Sequence, residues 1–377
     1  MIYLDYNATT PLAAEVAQGV QPYLHEEFGN PSSDYALGQR AKAAVQQARA
    51  QVADLIGCQA EELVFVSGAT EANNWVLKGI AHHQRERGRH LITTTIEHPA
   101  ILNPCLFLLE EGWDVTFVKV DSFGLVDPED IRRAIRPETI LISVMLANNE
   151  TGALQPLAAI SQIAREYGLP VHTDAAQAVG KIPVQVSELG VDFLTVAGHK
   201  LYAPKGIGAL YIRRGQQLTP LIHGASQEGG RRAGTENVIL AVALGLAGEV
   251  AGNRLAADMA HLQTLRDRLH WRLLDGFPQL VLNGPRQERL PNTLNVSFPG
   301  LVGAEILAGL PDLAASTGAA CHGPDVKLSH VLAAMGVSPE VGRGAVRLSV
   351  GRYTTPDEVD QAAEMLLGRV HALRSQG

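Results

Sequence analysis

Lys200 stands where a lysine can do chemistry, just past an apolar run in Ala197-Gly198-His199-Lys200-Leu201-Tyr202-Ala203-Pro204-Lys205-Gly206. Partial burial there lowers its proton affinity and makes it a nucleophile toward carbonyls and a general base. The competing reading is a stem that snorkels its charge to the surface. Asp174 and Gln177 sit among alanines in His172-Thr173-Asp174-Ala175-Ala176-Gln177. A carboxylate there either pairs with a buried cation or caps the next helix. His98, in Glu97-His98-Pro99-Ala100, has the side chain that shuttles protons near neutral pH, although a lone histidine is more often a packing residue. Ser67-Gly68-Ala69-Thr70-Glu71 offers N–H groups and a hydroxyl to a phosphate at a helix start, or else an ordinary N-cap by Ser67 or Thr70. Asn148-Asn149-Glu150 is a further polar cluster.

These clusters must be positioned, and the pattern says how. Apolar β-branched runs, expected as strands, occur at Leu63–Ser67, His90–Ile96, Val115–Val120, Ile140–Leu146, Pro170–Thr173, Phe193–Val196 and Gly208–Ile212. Amphipathic stretches such as Glu71–Arg87, Pro128–Ile135 and Leu157–Tyr167 alternate with them, which is the signature of an α/β sheet with crossover helices. Tyr35–Ile56 reads as one long helix before the sheet. Each polar cluster follows a strand, and open α/β sheets bind ligands beyond the carboxyl ends of their strands. One such cluster would mean nothing; five on one rim make a site.

An Ala- and Leu-rich helical stretch runs from Thr235 to about Leu274, with a break expected near Gly252-Asn253. Strands at Thr293–Ser297 and Val346–Val350 and a closing helix from Pro356 suggest a smaller α+β domain. The division expected is residues 10–258 as the large domain, with 1–9 and 259–377 as the small one, in keeping with a length at which one core stops growing. Hydrophobic content of 46% with 19% charged residues is ordinary for a globular chain, and a net charge of −8 argues against nucleic acid. No apolar run is long enough to suggest a membrane span. Three widely spaced cysteines, Cys58, Cys105 and Cys321, form neither a metal site nor a disulfide framework, so a reducing, cytoplasmic setting is expected.

Taken together, Ser67-Gly68-Ala69-Thr70-Glu71-Ala72-Asn73-Asn74, Glu97-His98, Asn148-Asn149-Glu150-Thr151-Gly152, the Asp174 segment and Gly198-His199-Lys200 closely resemble the cysteine desulfurases. The opening Tyr3-Leu4-Asp5-Tyr6-Asn7-Ala8-Thr9-Thr10-Pro11 and Phe28-Gly29-Asn30-Pro31-Ser32 match as well. The resemblance covers essentially the whole chain. It implies a fold-type I, class V aminotransferase-like enzyme of pyridoxal 5′-phosphate (PLP), with a mostly parallel seven-stranded sheet flanked by helices.

It further implies Lys200 as the Schiff-base lysine, His98 as ring-stacking acid–base and Asp174 as partner of the pyridine nitrogen. Gln177 and Asn149 would lie at the ring oxygen, Asn149 also near the substrate carboxylate. Ala69, Thr70 and His199 fall at phosphate positions, and Thr235 resembles a residue reaching the phosphate of a second subunit, hence a homodimer. Cys321, in Ser316-Thr317-Gly318-Ala319-Ala320-Cys321, resembles the nucleophile that takes sulfur from L-cysteine for an acceptor protein such as an iron–sulfur scaffold. Arg347 resembles the carboxylate-binding arginine, whose fork suits that task. Cys58 and Cys105 lie in helical contexts and are expected to be inert. Ala197 replaces a serine common in relatives, Ala203 a glycine, and His322-Gly323 a Thr-Ser pair. The Gly198-His199-Lys200 and Ala320-Cys321-His322 variants also resemble selenocysteine lyases, so L-selenocysteine is the alternative substrate; an aminotransferase of the same class is the more distant one.

Overall fold

The computed structural model describes residues 1–317 and 328–375. Seven strands build one sheet: β1 (Leu63–Val66), β2 (His90–Thr94), β3 (Asp114–Val118), β4 (Thr139–Ser143), β5 (Val171–Asp174), β6 (Phe193–Ala197) and β7 (Gly208–Ile212). Their spatial order is β1-β7-β6-β5-β4-β2-β3. β7 runs antiparallel to both neighbours and the other pairs are parallel. Every strand but the edge strand β3 is buried along its whole length. Helices cover both faces, which is why these strands are apolar runs without alternation.

The helices that matter for the site are α1 (Ala36–Ile56), α2 (Ala69–His83), α3 (Pro99–Glu110), α4 (Leu157–Glu166) and α5 (Val238–Gly276). α5 contradicts the expected break at Gly252-Asn253, for it runs unbroken over 39 residues. A glycine costs a helix only about 1 kcal/mol against alanine. Packing on both sides of Gly252 outweighs that: Ala241 to Ala251 bury against one apolar cluster and Leu262 to Leu273 against another. α1 and α5 approach so closely that a Cβ on Gly245 would lie 2.5 Å from the Ala48 Cα. α5 is long and apolar enough to cross a bilayer, yet half of its apolar window is buried inside the protein.

A second, antiparallel sheet has the order β10-β9-β8, from β8 (Val281–Leu282), β9 (Thr293–Ser297) and β10 (Ala345–Ser349). Its core joins Leu4, Leu262, Phe298, Val346 and Leu366 of the closing helix α6 (Pro356–Arg374). Ile2–Tyr3 pairs in parallel with Leu313–Ala314. Such two-residue strands carry no periodicity and were not expected from the sequence. They anchor the N-terminus beside the C-terminal sheet, from which residues 5–10 cross to the rim of the large sheet, where the Thr10 N–H donates to the His199 carbonyl at 3.0 Å.

Candidate active site

The carboxyl ends of β1, β2, β4, β5 and β6 surround a cavity of about 750 Å3. Lys200, His98, Asp174, Gln177, Asn149, Arg347, His199, Thr70 and Ala69 all line it. Thr235 does not; it lines an adjoining recess of about 230 Å3, which shares Ser67, Gly206 and Ile207 with the cavity. Cys321 lies outside the described residues.

One end of the cavity is built for an anion. α2 starts after Gly68, and neither Ser67 nor Thr70 caps it, so the ordinary N-cap reading is not what the structure holds. The first-turn N–H groups therefore remain open at the positive end of a 15-residue helix. Gly68 has φ 156 and ψ 178, a conformation essentially confined to glycine, and open space lies where its Cβ would be. Gly208 of β7 must also lack a side chain, since a Cβ there would sit 2.9 Å from the Gly68 Cα. Glu71, which also lines the cavity, accepts from the Ser67 N–H at 2.7 Å and from Arg232 Nε at 2.9 Å.

Lys200 Nζ donates to the carbonyl oxygens of Asn7 and Ala8. Burial, reinforced by Arg347 and opposed by Asp5 and Asp174, brings its pKa down to about 8. The snorkelling alternative is thereby excluded, because the amine points into the cavity toward backbone acceptors. His199 beside it is held down to about 4, first by burial and then by Lys200 and Lys205. Its Nδ1 lies 3.2 Å from Thr9 Oγ1.

Asp174 ends β5, and no helix follows it; its Oδ1 accepts from the Ala176 N–H at 2.9 Å. Its Oδ2 accepts from Asn73 Nδ2 at 2.7 Å. Gln177 Nε2 donates to the Asn7 carbonyl at 3.0 Å. His98 is the N-cap of α3, with Nδ1 accepting from the Ala100 N–H at 3.1 Å. In the neutral ring Nε2 therefore carries the hydrogen. Burial, with Lys200 and His330, lowers its pKa against the opposing pull of Asp174, so the neutral ring is favoured. Arg347 Nη2 donates to Asp5 at 2.7 Å and Nη1 to the Asn149 carbonyl at 3.1 Å, while Nε has no partner among the described residues.

Sequence reasoning assigned no role to Asn7, Asp5 or Asn73. Asn7 is a buried hub, accepting from Asn292 at 2.9 Å and donating to Thr293 at 2.8 Å through its side chain while its carbonyl holds Lys200 and Gln177. Asn73 did leave a signal: it is a polar residue on the α2 face that buries Ala72, Val76 and Ile80. Cys58 lies just past Gly57, the left-handed residue that ends α1, and not inside a helix as expected; Cys105 is buried in α3. Burial pushes both thiols up to about 12, which leaves them poor nucleophiles.

The donor set fits PLP. An open helix N-terminus suits a phosphate, a carboxylate held by two donors suits a pyridinium, and an amine of lowered proton affinity suits an aldehyde. Comparison with known proteins agrees. The family model "Aminotransferase class-V" matches residues 2–362. The chain is 45% identical to the cysteine desulfurase IscS of Dictyoglomus turgidum, over 99% of this chain and 95% of that protein. It is 46% identical to IscS of Methanosarcina thermophila, over 99% and 93%. A solved structure described as a NifS-like protein superposes with TM-score 0.91 at 36% identity, covering 100% of both chains. Another, "SspA in complex with cysteine", gives 0.83 at 36% identity, over 94% and 100%. The chain belongs to the class-V aminotransferases and, within them, to the cysteine desulfurases, enzymes that work with PLP.

Proposed function

We propose that this desulfurase takes L-cysteine, releases L-alanine and carries the sulfur as a persulfide on Cys321. The observation that supports it is the convergence of Lys200, Asp174, His98, Arg347 and the open end of α2 on one cavity. PLP, when bound, supplies the electron sink for the charge left as the Cα proton departs.

The residues divide the remaining work. The α2 amides, Thr70 and His199 would hold the phosphate, Asp174 would pair with the ring nitrogen, His98 would lie against the ring, and Gln177 and Asn149 would serve the ring oxygen. Lys200 would hold the cofactor aldehyde, and its amine, of lowered proton affinity, is the base for the substrate Cα proton. Arg347 binds the substrate carboxylate, sharing its fork with Asp5. The Cys321 thiolate forms an S–S bond with the substrate sulfur as the Cβ–S bond breaks. The electron pair returns to carbon, and the proton given up by the substrate thiol passes to that carbon with His98 as the relay. Cysteine plus one protein thiol thus becomes alanine plus one persulfide.

The test is direct. Purified protein given cysteine, and no keto acid, should form alanine and gain one sulfur on the Cys321 peptide, removable by reductant and transferable to a scaffold protein. Cys321→Ala should lower this turnover at least about 100-fold, because an unaided thiolate leaves carbon poorly. Alanine formed by Cys321→Ala at the wild-type rate would overturn the persulfide route. Wild-type turnover of selenocysteine alone would assign the other substrate.

A homodimer and a cytoplasmic setting complete the proposal. Thr235 stands in its recess at the end of a segment fixed by Arg49–Glu228 at 2.6 Å and Arg232–Glu71 at 2.9 Å. If it serves a second subunit, mixing Thr235→Ala with Lys200→Ala protein forms hybrids with one intact site. Activity above both parents is expected; an active monomer would refute the arrangement.

A further inference from the structure

Lys181 is a lysine in an expensive place. It is 6% exposed, and the charged groups that act on it, Lys200 and Arg347, are themselves cations. Burying an ammonium without a carboxylate is strongly unfavourable. The turn after β5 enforces it nevertheless. The Ala178 N–H donates to the Ala175 carbonyl at 2.9 Å and the Lys181 N–H to the Ala178 carbonyl at 3.0 Å. Gly180 has φ 77, a left-handed conformation that L side chains rarely adopt, so the bend favours glycine.

What the lysine reaches is Gln177. Lys181 Nζ donates to Gln177 Oε1 at 2.8 Å, and Gln177 Nε2 donates to the Asn7 carbonyl at 3.0 Å. An amide normally has two orientations that differ little in shape. Here its two sides are chemically distinct. The Asn7 carbonyl only accepts, so the NH2 must face Asn7; the oxygen is then left to Lys181, which donates to it although burial lowers its proton affinity. One Nε2 hydrogen is used by Asn7, whose carbonyl also accepts from Lys200 Nζ. The second is left for a group in the cavity that Gln177 lines.

We propose that Lys181 is a positioning residue that locks the Gln177 amide with its N–H toward the ring oxygen of the cofactor. The proposal rests on the functional reading above. Without Lys181 the Gln177 oxygen loses that donor and the amide is held by the Asn7 carbonyl alone, so its second N–H is less firmly aimed at the ring oxygen that it would stabilise.

The experiment uses holoenzyme and the pH midpoint of the visible absorption of Lys200-bound PLP. A donor to the ring phenolate favours the deprotonated chromophore, so losing it raises the midpoint. Lys181→Met, which removes the donor and keeps the bulk, is expected to raise it by about one pH unit, the size of one hydrogen bond to a charged group. Lys181→Arg, which keeps a donor, should return it most of the way. In a Gln177→Leu background Lys181→Met should add no further shift, because the effect runs through the amide. Should Lys181→Met fail to fold, Lys181→Ala, which admits water, is expected to shift the midpoint in the same direction by less. An unchanged midpoint in whichever variant folds, or an undiminished shift in the Gln177→Leu background, overturns the proposal. Wild-type protein without a visible band, or without a borohydride adduct on Lys200, would instead bring down the functional reading on which it rests.

Discussion

Lys200→Ala is expected to abolish turnover, lowering kcat/KM at least about 10,000-fold. General-base catalysis by a positioned side chain alone is worth about 100- to 10,000-fold, and this residue also anchors the cofactor. Borohydride reduction of wild-type holoenzyme should fix PLP to the Lys200 peptide, and the same treatment of Lys200→Ala should fix none. An adduct on another lysine would remove the proposed site. The amine's pKa of about 8 adds a second expectation. The neutral fraction of such a group rises about tenfold between pH 7 and pH 9, whereas an ordinary lysine near 10.4 gains about a hundredfold. The rate at which apoprotein captures PLP covalently should follow the shallower curve. The steeper one would mean that burial and Arg347 do not act on Lys200 as the geometry implies.

Asp174→Asn is the second large effect, a fall in kcat of about 100- to 1,000-fold, comparable to losing one oriented group that stabilises developing charge. An amide cannot hold a proton on the ring nitrogen, so electrons released at Cα lose their sink. The substitution should leave the fold intact. Its oxygen can still accept from the Ala176 N–H, and Asn73, whose Oδ1 has no partner among the described residues, can turn its amide to accept from the new NH2. The measurement is kcat with PLP saturating, alongside thermal unfolding of the apoprotein. Wild-type kcat in a normally stable Asp174→Asn protein would show that the carboxylate does not face the ring.

The positions of all seven central strands were legible in the chain, because buried strands covered on both faces are short apolar runs, and polar clusters stand where such runs end. Legible too was the grouping of Lys200, Asp174, His98 and Gln177. Each lies within a few residues of a strand's end, and a parallel sheet gathers those ends on one rim. The unbroken α5 was not legible, since Gly252 reads as a weak point until the packing on either side of it is known.

What the sequence determined by itself is therefore the sheet, the rim and the identity of most side chains on it, all of which follow from local pattern and covalent proximity. The family resemblance carries these to a cysteine desulfurase. Only the tertiary structure decided what holds those side chains. Lys200 is fixed by the carbonyls of Asn7 and Ala8, and Arg347 by Asp5, partners separated by nearly 200 and more than 300 positions along the chain. Backbone carbonyls are common to every residue and carry no signal in residue type. Which of them meets a given ammonium is settled by packing alone. The same reason hid Lys181: its residue type suggests a solvated surface charge, and only the bend at Gly180 folds it under the cavity to orient Gln177.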